Sequence, residues 1–255
     1  MQPRCAIADV PGPDSGRGAG RTRPGNGPMA PAVDFSIAFE RSLPCGLCVG
    51  VSIPEDSSAI TPAVLARLHP DEAGHAVTLH PRRQATWIAG RLALRAALAG
   101  LGAPPDPILP DDRGAPGVPR GMVGSISHKR LLAVGLASRE CGWTVGVDVE
   151  QRQMGKQDIT SRVLTGAERA GLAALDPAAR EQAVMLCFSL KESIYKAIDP
   201  HVRRYVGFHE VDLALLPDGS ARVDTHLVSA ERLQVEGWWS FARDHVLTGA
   251  RARPG

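Results

Sequence analysis

Apolar positions recur along this chain in two rhythms, alternation and helical spacing, and the two rhythms take turns. Leu43–Ile53 is an apolar run, and its part Gly46–Ile53 predicts a buried strand. Thr61–His69 predicts a short helix with Pro62 in its first turn. A longer helix is predicted over Arg82–Leu101, where Trp87, Leu94, Leu98 and Leu101 fall at helical spacing. Gly100 and Gly102 mark its end, and Pro104-Pro105 forbids continuation. Asp111–Gly121 predicts a Gly/Pro loop. Leu131–Ala137 and Trp143–Val149 predict strands joined by a turn at Ser138–Gly142. Thr165 and Glu168 have the spacing of a capping box, which starts a helix to about Leu175. Another helix is predicted from Pro177 or Arg180 to Ile198, with Asp199-Pro200 as its stop. Strands follow near Val211–Leu216, Ala221–Leu227 and His245–Thr248. The mixture predicts an α/β (α+β) fold.

Composition changes the picture at the N-terminus. Eleven of the first 30 residues are Gly or Pro, and large apolar residues are scarce there. Such a segment lacks the apolar surface to offset ordering entropy, so residues 1–33 are expected to form a disordered tail. The rest reads as two halves, 34–142 and 143–250. A net charge of +2 over 255 residues does not suggest a nucleic-acid-coating protein. The longest stretch free of ionisable Asp, Glu, Lys, Arg or His is the 13 residues Ser42–Pro54, too short to span a bilayer, and the N-terminus has no apolar signal core. No membrane and no nucleic-acid partner, and a cytoplasmic location, are the expectations. The five cysteines do not form a disulfide framework; Cys45 and Cys48 have CxxC spacing but sit in a predicted buried strand, where core packing is the simpler reading.

Candidate chemistry is concentrated in four segments. In Thr144–Glu150, Val145, Val147 and Val149 share one face of a strand, while Asp148 and Glu150 share the other, ~6.6 Å apart at Cα. Two carboxylates on one face suit a hard divalent cation, or a polar edge in water. In Phe188–Ala197, Glu192 and Lys196 are i,i+4 neighbours, and Glu192 lies at the margin of the apolar stripe formed by Val184, Phe188, Tyr195 and Ile198. A surface ion pair and a third metal ligand with a phosphate-binding lysine are both open. Gly124–Lys129 reads as a polar turn before a strand, in which Ser125, Ser127 and His128 either hold a phosphate or cap the turn. Arg83, Arg91 and Arg95 lie within ~120° of arc on the long helix, and Arg113 in the following loop is positioned to join them: a solvated basic face or an anion site. No GxxxxGK[ST] loop is present, which disfavours a P-loop nucleotide triphosphatase.

In this order the segments resemble the 4′-phosphopantetheinyl transferase superfamily, its Sfp/EntD-like group. The resemblance rests on Arg82-Arg83-Gln84 with Ala89-Gly90-Arg91, on Asp112–Pro116, on Gly124–His128, on Gly146-Val147-Asp148-Val149-Glu150 (G-[IV]-D-x-E), and on Phe188–Ala197 ([FW]-x-x-K-E-[AS]-x-x-K). It spans about Leu43 to Leu247. Departures are Val118 where the family often has Trp, and Ser193 where Ala is more usual; Val149, between the two acids, has no ligating group. The resemblance implies two similar α/β halves in a pseudo-dimeric fold with the site between them. It implies Mg²⁺-dependent (or Mn²⁺-dependent) transfer of 4′-phosphopantetheine from coenzyme A to a serine of an acyl or peptidyl carrier protein, releasing 3′,5′-ADP. Asp148, Glu150 and Glu192 would hold the metal, with Glu192 also the candidate base. Lys196 would contact the pyrophosphate with Lys191 close by. Arg83, Arg91 and His128 would hold the 3′-phosphate end, Arg113 would run along the nucleotide, and Ser127 would add a hydrogen bond. One chain supplies the whole cleft, so a monomer is expected. The alternatives are another Mg²⁺-dependent nucleotide phosphotransferase or hydrolase, and a non-catalytic module that binds coenzyme A or a carrier protein.

Overall fold

The structure is a computed structural model and describes residues 35–56, 59–152, 158–227, 232–242 and 244–255. The expected tail, 1–33, lies outside the described residues. In chain order the elements are β1 (Ile37–Leu43), β2 (Gly46–Ser52), α1 (Pro62–Leu65), α2 (Pro70–Thr78), α3 (Pro81–Gly100), β3 (Met122–Lys129), β4 (Leu132–Arg139), β5 (Thr144–Gln151), α4 (Thr160–Val163), α5 (Gly166–Leu172), α6 (Pro177–Val202), β6 (Val211–Leu215), β7 (Ser220–Thr225), β8 (Leu233–Ala242) and β9 (His245–Pro254).

Two antiparallel sheets result, ordered β1-β2-β4-β3 and β5-β9-β8-β7-β6. Each carries one long helix across a face. Helix α3 lies against β4 so closely that a Cβ on Gly135 would stand 2.2 Å from the Leu94 amide nitrogen. Helix α6 lies against β5 in the same way: a Cβ on Gly146 would stand 1.9 Å from the Ser193 carbonyl oxygen. Only glycine allows that approach, which fixes helix and strand as one unit. Under α3 the core includes Ile88, Leu94, Leu98 and Ile108; under α6 it includes Leu186, Leu190, Ile194 and Ile198. A third cluster joins the halves, with Cys45, Cys48, Val134, Leu136, Val145, Val147, Val149 and Leu247 buried between the sheets. Burial pushes the Cys45 and Cys48 thiols up to about 12, so this CxxC pair is core packing, and both thiols are free.

The α/β reading holds, and several local expectations do not. Gly124–His128 is not a turn but the middle of strand β3, paired with β4. The last long helix does not stop at Asp199-Pro200. It continues through Pro200 to Val202 and closes on Arg203, whose backbone is left-handed (φ 46°). The predicted helix Thr61–His69 is only the single turn α1, and a second helix, α2, begins at Pro70. It starts on a capping box in which His69 accepts from the Asp71 amide while Glu72 accepts from the His69 amide. Strands β1 and β8 complete the sheets. No helix among the described residues is long and apolar enough to cross a membrane.

Candidate active site between the two sheets

Strands β3 and β5 are each the hydrogen-bonding edge of their sheet, and they lie side by side across the boundary between the halves. An open strand edge needs partners. Here Ser125 Oγ accepts from the Val147 amide (3.1 Å), and Lys196 Nζ donates to the Val147 carbonyl (2.9 Å). The alternation read in β5 is real, but its polar face does not meet water. Val145, Val147 and Val149 face the core between the sheets, while Asp148 and Glu150 lie buried on the face under α6.

Asp148 is the most heavily bonded group of the site. Its Oδ1 accepts from Ser127 Oγ (2.7 Å) and Lys196 Nζ (2.9 Å), and its Oδ2 accepts from Ser189 Oγ (2.8 Å). Ser189 is fully buried and shares a hydroxyl chain with Thr248 (2.9 Å) and Ser193 (2.7 Å). Glu150 pairs with Lys129 at 2.6 Å. Glu192 is half-buried near both acids. Desolvation first, and the Asp148 charge as well, push the Glu150 and Glu192 carboxyls above the ordinary carboxylate range. Among the described residues no three His, Cys, Asp or Glu side chains stand grouped as a metal ion would need. In this conformation the ammonium groups of Lys196 and Lys129 occupy the acids instead.

Above the acids a cleft of about 720 Å³ opens between the halves. Helix α3 contributes Arg83, Trp87 and Arg91, helix α2 contributes His75, and β3 contributes Ile126 and His128. The loop Pro110–Pro116, with Arg113, also lines the cleft, as do Tyr195, Lys196, Asp199 and Pro200 of α6. Consecutive strand residues point to opposite faces, so Ser127 turns down to Asp148 while His128 opens into the cleft. Desolvation, Lys196 and Arg83 hold the His128 imidazole below its ordinary value. Arg91 is 7% exposed, stacks on Trp87 with Cζ 4.3 Å from the ring centroid, and donates Nε to the Ile108 carbonyl (3.2 Å). Burial pushes its guanidinium down to about 10, against the opposing pull of Glu72. His75 covers the same indole, its ring centroid 5.0 Å away.

The sequence-derived candidates are therefore brought together in part. Arg83, Arg91, Arg113, His128 and Lys196 line the cleft, and Ser127 and Asp148 lie directly beneath it through Lys196. The carboxylates Asp148, Glu150 and Glu192 are not among its lining residues; Glu192 faces a separate hollow of about 190 Å³ with Tyr195, Tyr205 and Phe208. Arg95 shares the α3 arc but pairs with the fully buried Glu72, away from the cleft.

Lys191 does not reach the cleft at all. Its Nζ donates to the Val163 carbonyl (2.9 Å), Glu168 Oε2 (2.7 Å) and the Phe208 carbonyl (2.9 Å), which engages all three ammonium protons. Ser189 went unread as a site residue. The signal is in the sequence: Ser189, Ser193 and Lys196 fall at i, i+4 and i+7, a polar stripe along one side of α6.

Residues 71–138 match the model of the 4′-phosphopantetheinyl transferase N-terminal domain, and residues 144–249 match that of the 4′-phosphopantetheinyl transferase superfamily. The chain is 36% identical to 4′-phosphopantetheinyl transferase Svp of Streptomyces mobaraensis over 71% of its own length and 77% of the relative's. It is 33% identical to 4′-phosphopantetheinyl transferase PptT of Mycobacterium tuberculosis, over 70% and 83% of the two chains. To 4′-phosphopantetheinyl transferase Npt of Nocardia iowensis it is 32% identical, over 82% and 97%. The two family matches meet at the boundary between the two sheets, where the cleft lies, and on these grounds the chain belongs to the 4′-phosphopantetheinyl transferase superfamily and is an enzyme of that class.

Proposed function

We propose that this transferase moves the 4′-phosphopantetheine group of coenzyme A onto a serine hydroxyl of an acyl or peptidyl carrier protein, with Mg²⁺, and releases 3′,5′-ADP. The observation that carries the reading is the junction at Lys196. One ammonium group lies in the wall of a cationic cleft and on the carboxylate of Asp148 at the same time. Coenzyme A joins a phosphorylated nucleotide to a pyrophosphate, so it calls for cations along a cleft followed by a site that manages charge at the reacting phosphorus.

The residues divide the work accordingly. Arg83, Arg91 and His128 would hold the 3′-phosphate end. Arg91 suits this because it is pre-set by Trp87 and, among the described residues, only its Nε meets a protein acceptor. An arriving phosphate would favour the protonated form of His128, whose imidazole desolvation, Lys196 and Arg83 hold below its ordinary value. Lys196 would turn from Asp148 to the pyrophosphate and neutralise charge that builds on the leaving ADP.

The donors Asp148, Glu150 and Glu192 are all oxygen, the chemistry a hard cation takes, and would have to draw together and release Lys196 and Lys129 to hold one. Burial first, and the Asp148 charge after it, push the Glu150 and Glu192 carboxyls up, and a bound dication would favour their charged forms. These three would hold Mg²⁺, which when bound neutralises the pyrophosphate. Glu192 would accept the serine proton as the hydroxyl oxygen attacks the phosphorus bearing pantetheine and the bond to the ADP oxygen breaks.

The test is the intact mass of an apo carrier protein incubated with this enzyme and coenzyme A, with and without Mg²⁺. A gain of one phosphopantetheine that needs Mg²⁺ and disappears in Glu192→Ala is the expected result. Consumption of coenzyme A with an unmodified carrier would replace the reading with a hydrolase. Coenzyme A binding without turnover, across several carrier classes, would replace it with a binding module.

A further inference from the structure

The loop Pro110–Pro116 holds its own shape and is then tied to the opposite half. Asp111 Oδ1 accepts from the amides of Arg113 and Ala115, both at 2.8 Å. The Asp111 amide donates to the Ala115 carbonyl (2.9 Å), Pro110 and Pro116 form an isolated bridge, and Gly114 supplies the turn at φ +84°. From this rigid loop Arg113 reaches the last turns of α6. Its Nε donates to Asp199 Oδ2 (2.8 Å) and its Nη2 to Asp199 Oδ1 (2.5 Å), a two-point fork at the protein surface. Beside it, Arg203 Nη2 donates to Asp112 Oδ2 (3.0 Å) in a more open pair. The charges are crossed: the loop offers a cation and an anion, and the helix offers an anion and a cation. Tyr195 stands against both members of the inner pair.

This arrangement depends on α6 passing through Pro200, because that extension carries Arg203 to the loop. Residues of the loop and of the helix end both line the cleft, and the fork joins them there. The fork faces Asp199 on its Nε and Nη2 side, and this hydrogen bonding, with the Asp199 charge behind it, raises the guanidinium pKa further. We propose that the Arg113–Asp199 fork is a latch that holds the 110–116 loop as a wall of the coenzyme A cleft, with Asp199 and Arg113 as positioning residues. Arg113 then acts through the loop it fixes, not as a phosphate ligand. The positioning part rests on coenzyme A occupying this cleft; the latch itself does not.

The test therefore has two readouts. Hydrogen–deuterium exchange of the 110–117 segment is measured in the ligand-free full-length protein, for wild type, Asp199→Asn, and the swap Arg113→Asp with Asp199→Arg. Faster exchange of that segment in Asp199→Asn, restored toward wild type by the swap, is expected; unchanged exchange overturns the latch. Steady-state transfer is then measured against coenzyme A concentration. KM for coenzyme A should rise about five- to tenfold in Asp199→Asn with kcat held within about twofold, and the swap should recover most of it. If Asp199→Asn instead lowers KM while the swap stays impaired, Arg113 is a phosphate ligand that Asp199 restrains, and the positioning role is overturned. Loosened exchange with an unchanged KM also overturns it. A wild-type protein that does not bind coenzyme A would count against the proposed function and leave the exchange result to judge the latch.

Discussion

Two lysines five residues apart on α6 each meet a carboxylate, and the two pairs do opposite things. Lys191 and Glu168 form a closed unit. Their side chains are 1% and 2% exposed; the ammonium meets three acceptors, and Glu168 also accepts from the Thr165 and Leu213 amides. The pair ties α4, α5 and the start of β6 to the middle of α6. Lys196 and Asp148 form an open unit. Lys196 keeps 28% exposure in the wall of the cleft, although Asp148 is buried beneath it. At ~100° per residue five positions bring a side chain well round the helix, so one lysine faces the body of the second half and the other faces the seam between halves. A buried pair with every hydrogen bond made is costly to break and has no capacity for a ligand. A pair at a cleft can exchange its partner for an incoming anion.

The largest expected effect tests the closed pair. Lys191→Met leaves Glu168 as an uncompensated buried charge and should cost about 3–5 kcal/mol of stability, read from the urea midpoint. Adding Glu168→Gln should recover a good part of that loss, since the orphaned charge is then gone. Next comes the open pair. Lys196→Met should lower kcat by about 100-fold or more, with a midpoint shift less than half that of Lys191→Met. If the two variants lose stability equally, the distinction between the pairs fails. A smaller effect tests the cleft itself: Trp87→Leu removes the stacking partner of Arg91, worth ~0.5–2 kcal/mol, and should weaken coenzyme A binding about 2- to 30-fold in calorimetry. The smallest is a pH effect. The folded-state value of His128 is depressed, so the unfolded chain binds more protons in the window between that value and the ordinary histidine range. Its contribution to stability is present above the ordinary value and is lost as pH falls through the window. His128→Gln should flatten that part of the stability–pH curve. Coenzyme A binding should take up a proton in wild type more than in this variant, measured as a dependence of the binding heat on buffer ionisation.

How far the sequence could be read depended on whether the signal was local. The capping box at Thr165 and Glu168 forms as its spacing says, each side chain accepting from the other residue's amide. Helix α3 begins one residue before its expected start and ends at Gly100, because periodicity and Gly/Pro punctuation are properties of the segment itself. Elements went unread where the local signal was weak. Strand β1 is an edge strand with mostly exposed side chains, so no apolar alternation marks it. In strand β8 the side-chain pattern is broken at Gly237, where the strand itself runs on and packs against Leu190 of α6. Helix α2 uses His69, an uncommon N-cap residue. The segment Gly124–His128 has serines that suit a turn. Its pairing with β4 and the hydrogen-bonding demand of the β5 edge make it a strand.

By itself the sequence determined the α/β class, the two long helices, the alternating faces of β5 and the family resemblance, since each rests on residue order and short-range geometry. Tertiary structure alone decided what those faces meet. Nothing in the order of residues says that the acidic face of β5 lies under α6, that Ser189 and Thr248 stand behind Asp148, or that Lys191 is sealed against Glu168 while Lys196 reaches the cleft. Nor does it say that Asp199, part of an expected helix stop, forks onto Arg113 across the halves. These are contacts between segments distant in sequence, set by how closely α3 and α6 can approach their strands at Gly135 and Gly146 and by the need of two open sheet edges to satisfy their backbone groups.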